Sequence, residues 1–241
     1  MDKARFLEAI ESDSEALLAA AASVPLDTPI AACDGWLMRE LVTHQTFIWG
    51  FATSNVLAGG DKTGPASPKP PDDEGQLFNW SNDVRLAMLE ALSNAEPDAP
   101  AWSFASNNHT AGFWQRRMMS ETMVHRWDAQ SAALSIDPLY PERAADAIDE
   151  YTQVGLQFSS SKPDRVYPSK SLHIHCTDTA GEWTLVGDDG PNVTVTREHA
   201  KGDAAVRGQA EELLLWIWGR PGQVDMFGDP DVAATWRALA P

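Results

Sequence analysis

Apolar residues recur at helical spacing through the first two thirds of the chain. Phe6, Ile10 and Leu17 repeat at intervals of four and seven, which keeps them on one face of an α-helix. Four further stretches show this spacing, and residues 59–75, rich in Gly, Pro and charge, interrupt it as an irregular loop that we expect a protease to cut first. The spacing therefore predicts five helices, over 3–23, from about 36, over 76–94, from about 110 and over 141–158.

The pattern changes to a period of two after residue 160. In "SLHIHCTDT" the apolar Leu172, Ile174 and Cys176 alternate with polar residues, and three more short alternating stretches follow between turn sequences. We interpret these stretches as strands of an antiparallel sheet, with helices over "AEELLLWIWGR" and "PDVAATWRALA" after them. The sequence thus predicts two domains, an all-α bundle over 1–160 and a small α+β domain over 161–241.

Composition restricts the partners of this chain. Its 241 residues, 43% of them apolar, are enough to bury a core, whereas 18 basic against 35 acidic residues give a net charge of -17. That charge repels phosphate backbones and anionic lipid, so we expect neither nucleic acid nor a membrane as a partner. We find no signal peptide, and the two cysteines, far apart in the chain, fit neither a disulfide framework nor a cysteine zinc knuckle. We therefore expect a cytoplasmic protein.

The stretch "SETMVHRWDA" places an acid and an imidazole on the core side of the fourth predicted helix. Glu121 and His125 are four residues apart and continue the apolar stripe of Trp114 and Met118. A carboxylate in such a position requires a partner or a metal, because an unpaired buried charge is costly. The second predicted helix directs one histidine, His44, inward in the same way.

Two histidines and one glutamate on two helices match a three-ligand metal site in a bundle core. The set of His44, Glu121 and His125 suits Zn²⁺, although Fe²⁺ or Ni²⁺ would also accept it, and three protein ligands leave positions open for chemistry. An ion pair between Glu121 and Arg117, one turn earlier, is the alternative. Asp128 either orients the His125 imidazole or is an exposed helical charge.

Other patterns that carry chemistry are weaker. His173 and His175 form an H-x-H pair on one strand face, but a third ligand is missing from that face, so we expect them on the sheet surface. The sequence contains no P-loop, no G-x-G-x-x-G, no H-E-x-x-H and no G-x-S-x-G, which gives nucleotide-binding, metalloprotease and serine hydrolase functions no support.

Four stretches resemble the mycothiol-dependent maleylpyruvate isomerase family: "CDGW" with His44 eight residues after its tryptophan, "TAGFWQRRMMSETMVHRWDA", "LHIHCTDTAGEWTL" and "ELLLWIWGR". This resemblance, over nearly the whole chain, implies a DinB-like four-helix bundle followed by a small domain similar to sterol carrier proteins. It implies a divalent metal, usually zinc, on His44, Glu121 and His125, and an arginine, here Arg220, that reaches toward the metal. Asp34 and Ser120 stand where members commonly have Pro and His, and neither change removes a ligand.

The resemblance also implies an enzyme in which mycothiol, a low-molecular-weight thiol, is the nucleophilic cosubstrate. The metal would favour the thiolate, which attacks a small-molecule electrophile. The outcome is then cis-trans isomerisation, as for maleylpyruvate, or thiol transfer. Two alternatives stay open: a metal-dependent hydrolase with water at the same site, and an apolar-ligand-binding or regulatory protein. We expect a monomer or a homodimer.

Overall fold

The computed structural model describes residues 1–61, 69–159 and 165–240, and the chain divides into two compact units, Met1–Asp137 and Pro138–Pro241. Part of the predicted loop, residues 62–68, lies outside the described residues. So do residues 160–164, where the sequence analysis places the domain boundary. The fifth predicted helix, assigned to the bundle from its spacing, belongs to the second unit, because helical periodicity shows that a helix has an apolar face but not which core receives it.

The first unit is built on four long helices, and each was predicted from the sequence. They are α1 (Lys3–Ala22), α2 (Met38–Leu57), α3 (Leu77–Asn94) and α4 (Ala111–Ala132), with a short 3₁₀ turn, Glu74–Gln76, before α3. Helix α1 packs against α3 and α4, and α2 packs against the same two helices. One cluster of the core they enclose contains Leu17, Ala21, Ile30, Met38, Leu41, Val42 and Leu77.

Side-chain caps fix where these helices begin. The Asp2 carboxylate accepts a hydrogen bond from the Arg5 N–H at 2.9 Å, at the start of α1. The Thr110 hydroxyl accepts one from the Phe113 N–H at 3.4 Å, at the start of α4. Because this cap starts α4 at Ala111, the motif predicted to carry the site lies about three turns into the helix.

The second unit contains the strands and shorter helices of the chain. A single π-helical turn, Tyr151–Gly155, separates its first two helices. The elements, in order, are α5 (Pro141–Glu150), α6 (Leu156–Ser159), β1 (Leu172–Cys176), β2 (Glu182–Gly187), β3 (Val193–Thr196), β4 (Ala204–Gly208), α7 (Ala210–Ile217), β5 (Asp225–Gly228) and α8 (Pro230–Arg237).

The five described strands form one mixed sheet, in the order β3-β2-β1-β4-β5. The prediction of an antiparallel sheet is wrong for one pair, because β1 and β4 run parallel while the other neighbours are antiparallel. Alternation reports which side chains are buried and not which strand lies alongside, so the crossover was not predictable from it. Strand β5 was missed because all of its residues are exposed, so it shows no alternation of buried and exposed positions.

Helices α7 and α8 both pack against β1 and β4, and α5 packs against α7. As predicted, Leu172, Ile174 and Cys176 of β1 are buried. The alternate residues of β1 point to the other face of the sheet. Among the described helices, none combines the length and the hydropathy needed to cross a membrane.

Candidate metal centre

Helix α4 is the central element of the first unit. The sequence predicts one buried face, but every residue from Met118 to Gln130 is buried, because α1, α2 and α3 all contact this helix. The exposed fractions of Glu121 and His125 are 5% each, so the carboxylate and the imidazole are inside the bundle as predicted. A buried ionisable pair of this kind requires compensation from its surroundings.

Helix α2 brings the third predicted residue to this pair. His44 Nε2 lies 3.4 Å from Glu121 Oε1, and His125 Nε2 lies at the same distance from that oxygen. The potential ligand atoms of His44, Glu121 and His125 are all within 4.8 Å of one another. His44 is only half-buried, with 31% of its side chain exposed, so it is less enclosed than its position in an apolar stripe suggests.

Two neighbours hold the His125 ring. Asp128 Oδ2 lies 2.8 Å from His125 Nδ1, which leaves Nε2 directed at Glu121. Asp128 is 1% exposed, so it orients the imidazole and is not an exposed helical charge. The Trp36 indole stacks on the same ring, with centroids 6.1 Å apart, and the Cys33 Sγ lies 3.8 Å from Asp128 Oδ2.

The two oxygens of Glu121 have different partners. Arg117 contacts Oε2 in an ion pair, whereas Oε1 faces both histidines. Burial acts to raise the pKa of Glu121, but the Arg117 guanidinium and hydrogen bonds with the two histidines hold that pKa well below its usual range. Glu121 is therefore ionised, and the arginine alternative from the sequence accounts for only one of its oxygens.

The electrostatics of His125 follow from the same contacts. Burial acts to lower its pKa, and the Asp128 and Glu121 carboxylates reverse this and raise it to about 9. Metal ligation requires the neutral imidazole, so a cation that binds here displaces a proton from His125.

The donor set fits a divalent transition metal. Ligands at about 2.0–2.1 Å around a tetrahedral ion lie ~3.3 Å apart, which is close to the 3.4 Å that separates Glu121 Oε1 from each histidine nitrogen. Two nitrogens and one oxygen, with the second imidazole nitrogen of His125 anchored by a carboxylate, form the donor arrangement of catalytic zinc sites.

A cavity of about 510 Å³ opens beside His44 and is bordered by α2, α3 and the segment before α3. Its walls include Trp36, Arg39, Thr43, Phe47, Pro70 and Leu77. Sequence reasoning missed these residues. For the three that lie on α2, spacing is the signal that could have found them. Arg39, Thr43 and Phe47 recur every four residues and lie on one side of the helix with His44.

Arg220, the remaining predicted site residue, lies in the second unit just after α7. It is 4% exposed, its guanidinium donates a hydrogen bond to the Trp218 carbonyl oxygen at 2.7 Å, and it lies over the Trp218 ring. Its contribution to the metal centre stays a prediction.

The second unit contains a further group of ligand-type side chains that the sequence analysis underestimated. His173 was expected on the sheet surface without a third ligand, yet it is only 6% exposed, and Glu182 and His199 join it and His175 in one cluster. These partners come from β2 and from the segment after β3, and their proximity depends on strand pairing that the sequence does not specify.

The chain is similar to known proteins over both units. The model of the mycothiol maleylpyruvate isomerase N-terminal domain matches residues 7–130, and that of the MDMPI C-terminal domain matches residues 143–235. The crystal structure of a histidine-to-alanine mutant of the mycothiol-dependent maleylpyruvate isomerase is similar over 94% of this chain and 93% of its own, with 12% sequence identity and a TM-score of 0.59. At that identity the similarity shows the fold alone. No curated protein matches the chain.

Proposed function

The chain belongs to the mycothiol maleylpyruvate isomerase family, and from this premise we propose that it is a divalent-metal-dependent cis-trans isomerase with mycothiol as nucleophilic cosubstrate. One observation carries the proposal: Glu121 Oε1 and the Nε2 atoms of His44 and His125 converge from two helices at the spacing of metal ligands. We propose a cytoplasmic location, which two free cysteines support.

His44, Glu121 and His125 are the proposed ligands, and Zn²⁺ is the cation that this donor set suits best. Asp128 keeps the His125 tautomer that presents Nε2 to the cation. Arg117 holds Oε2 of Glu121, which leaves Oε1 as the single ligand atom of that carboxylate. When bound, the cation stabilises the thiolate form of a thiol that enters its open position.

The cavity beside His44 is the proposed position of the thiol and the electrophile. Trp36 and Phe47 give the cavity aromatic walls, and Arg39, which is paired with Glu74, lies on its rim. Walls of this kind orient two reactants and so lower the entropic part of the barrier.

The proposed reaction needs no net gain or loss of atoms. The thiolate sulfur forms a bond to one carbon of a C=C bond conjugated to a carbonyl, and the carbonyl oxygen takes the electron pair. Rotation about the resulting C–C single bond follows. Return of the electron pair expels the thiolate and restores the double bond in the trans form. If the adduct is protonated and released before the sulfur leaves, the outcome is thiol transfer.

Arg220 is the proposed anion-binding residue for the electrophile. Its buried guanidinium has the planar array of donors that recognises a carboxylate, and burial strengthens such a contact by lowering the local dielectric constant. Holding an anionic group fixes the geometry of attack and stabilises charge that develops during it.

Elemental analysis combined with a thiol-dependent assay tests the proposal. We expect His44→Ala, Glu121→Ala and His125→Ala each to bind one equivalent of metal less than the unmodified protein. Each variant should also lose the mycothiol-dependent isomerisation of a cis-dienoic or cis-enoic keto acid. His109→Ala is the matched control, because His109 is exposed and lies away from the three ligands in α2 and α4.

The controls of this assay separate the alternatives. Turnover that is equal with and without thiol would favour a hydrolase, and a stable thioether product would favour a transferase. If all three ligand variants keep the full metal content of the unmodified protein, the ligand assignment is wrong.

A further inference from the structure

The open face of β1 carries a second set of metal-ligand side chains. His173 and His175 are two residues apart and therefore point to the same face of the sheet. The antiparallel pairing with β2 places Glu182 directly opposite His175. His199, three residues beyond the end of β3, completes the group, so its four members come from three separate stretches of the chain.

The Glu182 carboxylate lies between the three imidazoles. Its Oε2 is 3.3 Å from His199 Nδ1 and 4.0 Å from His173 Nε2, and its Oε1 contacts His175 Nδ1. All four ligand atoms are within 4.8 Å of one another. The His173 and His199 rings meet edge to face with centroids 5.2 Å apart.

One of these ligand atoms, His173 Nε2, is a buried polar atom without a hydrogen bond: it is removed from solvent, and Glu182 Oε2 is 4.0 Å away. His175 Nδ1 is also removed from solvent, but the contact with the Glu182 carboxylate compensates it. Buried polar atoms are normally satisfied, because an unmade hydrogen bond costs the full desolvation of the group. A cation bound by His173 Nε2 would remove this cost, and a packing role for this histidine would not.

We propose that His173, His175, Glu182 and His199 form a structural binding site for a divalent transition-metal cation of the Zn²⁺ class. Three imidazole nitrogens and one carboxylate oxygen match the ligands that Zn²⁺ accepts in tetrahedral coordination. Because all four positions are supplied by the protein, the site is closed to substrate, which distinguishes it from the three-ligand centre of the first unit.

The site would attach the segment between β3 and β4 to strands β1 and β2, which already pair with each other. It connects the central strand β1 to its neighbour β2 and to the segment between β3 and β4. The His199 side chain is 79% exposed, so it can rotate to close the coordination sphere without displacing core residues. Cation binding to the folded state alone would then stabilise the folded chain by mass action.

The test uses the full-length chain with the first centre removed. In a background of His44→Ala and His125→Ala, we expect one equivalent of Zn²⁺ to stay bound through gel filtration and Co²⁺ to give the visible absorption of a tetrahedral ion. Adding His199→Ala or Glu182→Gln should weaken Zn²⁺ binding by at least about 10-fold, measured by competition with a chromophoric chelator. Five of the six histidines lie in the two clusters, so His109→Ala is the matched control and should leave binding unchanged.

Other results would overturn the proposal. If the background protein retains no Zn²⁺, or if both His199→Ala and Glu182→Gln bind it as tightly as the background does, the four residues do not form a metal site. Circular dichroism identifies any variant that fails to fold. If Glu182→Gln fails to fold, His199→Ala alone tests the proposal, because His199 is exposed and its replacement should leave the fold intact. Failure of the first centre leaves this result unaffected, because the background already lacks two of its ligands.

Discussion

At the scale of single residues, Glu121 explains how a helix core accommodates a carboxylate. One oxygen is neutralised by Arg117 and the other is left between two imidazoles. An ion pair alone would account for the buried charge, since attraction to the partner offsets part of the desolvation cost. It would not explain why His44 and His125 converge on the second oxygen, which is the arrangement a cation requires.

The contact between Asp128 and His125 gives the first prediction. Replacing Asp128 by Asn keeps the shape of the side chain and removes the charge that fixes the imidazole, so we expect affinity for Zn²⁺ at the first centre to fall about 10- to 100-fold. Chelator competition is measured in a protein that also carries Glu182→Gln and His199→Ala, so that the second cluster competes less for the cation. Asp83→Asn, at an exposed position of α3, is the control and should have no effect. Equal affinities in the two variants would contradict the orienting role.

The sequence predicted the residues of α4 better than it predicted those of α2. The four-residue interval between Glu121 and His125 fixes their common face in any helix, so their convergence required no tertiary information. The approach of His44 to Glu121 depends instead on how α2 packs against α4, and its partial exposure depends on the adjacent cavity. The role of Asp128 stayed open because spacing alone does not report burial.

At the scale of elements, α4 is held to α1 by a buried ion pair. Arg126 Nε lies 3.1 Å from Asp13 Oδ1, and both residues are 5% exposed. We expect Asp13→Ala to lower the free energy of unfolding by about 3–5 kcal/mol, because it leaves the Arg126 charge buried without its acid. The double variant Asp13→Leu with Arg126→Met should recover most of that loss.

Chemical denaturation of the unmodified protein, Asp13→Ala and the double variant measures the effect. Glu96→Gln is the control, since its pair with Lys3 is 3.7 Å long and Glu96 has 76% of its side chain exposed, and it should change stability by less than about 0.5 kcal/mol. A comparable effect of Glu96→Gln and Asp13→Ala would mean that the buried pair does not hold the helices.

Two glycines that end the strands on either side of β1 offer a matched comparison. A Cβ at Gly187, the end of β2, would overlap the backbone carbonyl of Tyr167, whereas a Cβ at Gly208, the end of β4, would meet Gln223 O at 3.4 Å. We therefore expect Gly187→Ala to cost about 1–3 kcal/mol and Gly208→Ala to be close to neutral. Denaturation midpoints check this, and a neutral Gly187→Ala would show that the segment around Tyr167 yields easily.

The elements themselves were largely predictable, and their arrangement was not. Periods of 3.6 and 2 located the four long helices and strands β1 to β4, because burial imposes these periods on the sequence directly. The parallel pairing of β1 with β4 and the position of β5 at the sheet edge follow from packing against α7 and α8. The cluster around Glu182 depends on the pairing of β1 with β2 and on the segment after β3, neither of which the sequence pattern specifies, so the sequence alone showed only the H-x-H pair.

At the scale of the whole molecule, each unit contains one of the two clusters that we propose to bind a metal. The first unit contains the three-ligand set and the cavity, and the second contains the four-ligand set and Arg220. A net charge of -17 favours the accumulation of cations around the protein and opposes the approach of an anionic substrate. A specific arginine is therefore the means by which an acidic chain of this kind would bind a carboxylate.

The final prediction concerns Arg220, the one proposed site residue outside the first unit. Arg220→Lys keeps a positive charge but removes the planar fork of donors, so we expect thiol-dependent turnover of an anionic electrophile to fall by about 100-fold with metal content unchanged. Arg237→Lys is the control for disturbance of the Arg220 backbone, because Arg237 donates to the Arg220 carbonyl oxygen at 3.1 Å and, like Arg220, lies over an indole ring. Circular dichroism and metal analysis separate lost positioning from lost folding. If Arg220→Lys turns over substrate as fast as Arg237→Lys, Arg220 supports only the structure of its own unit, and the anion must be bound elsewhere. Arg39, on the cavity wall, is then the next residue to replace.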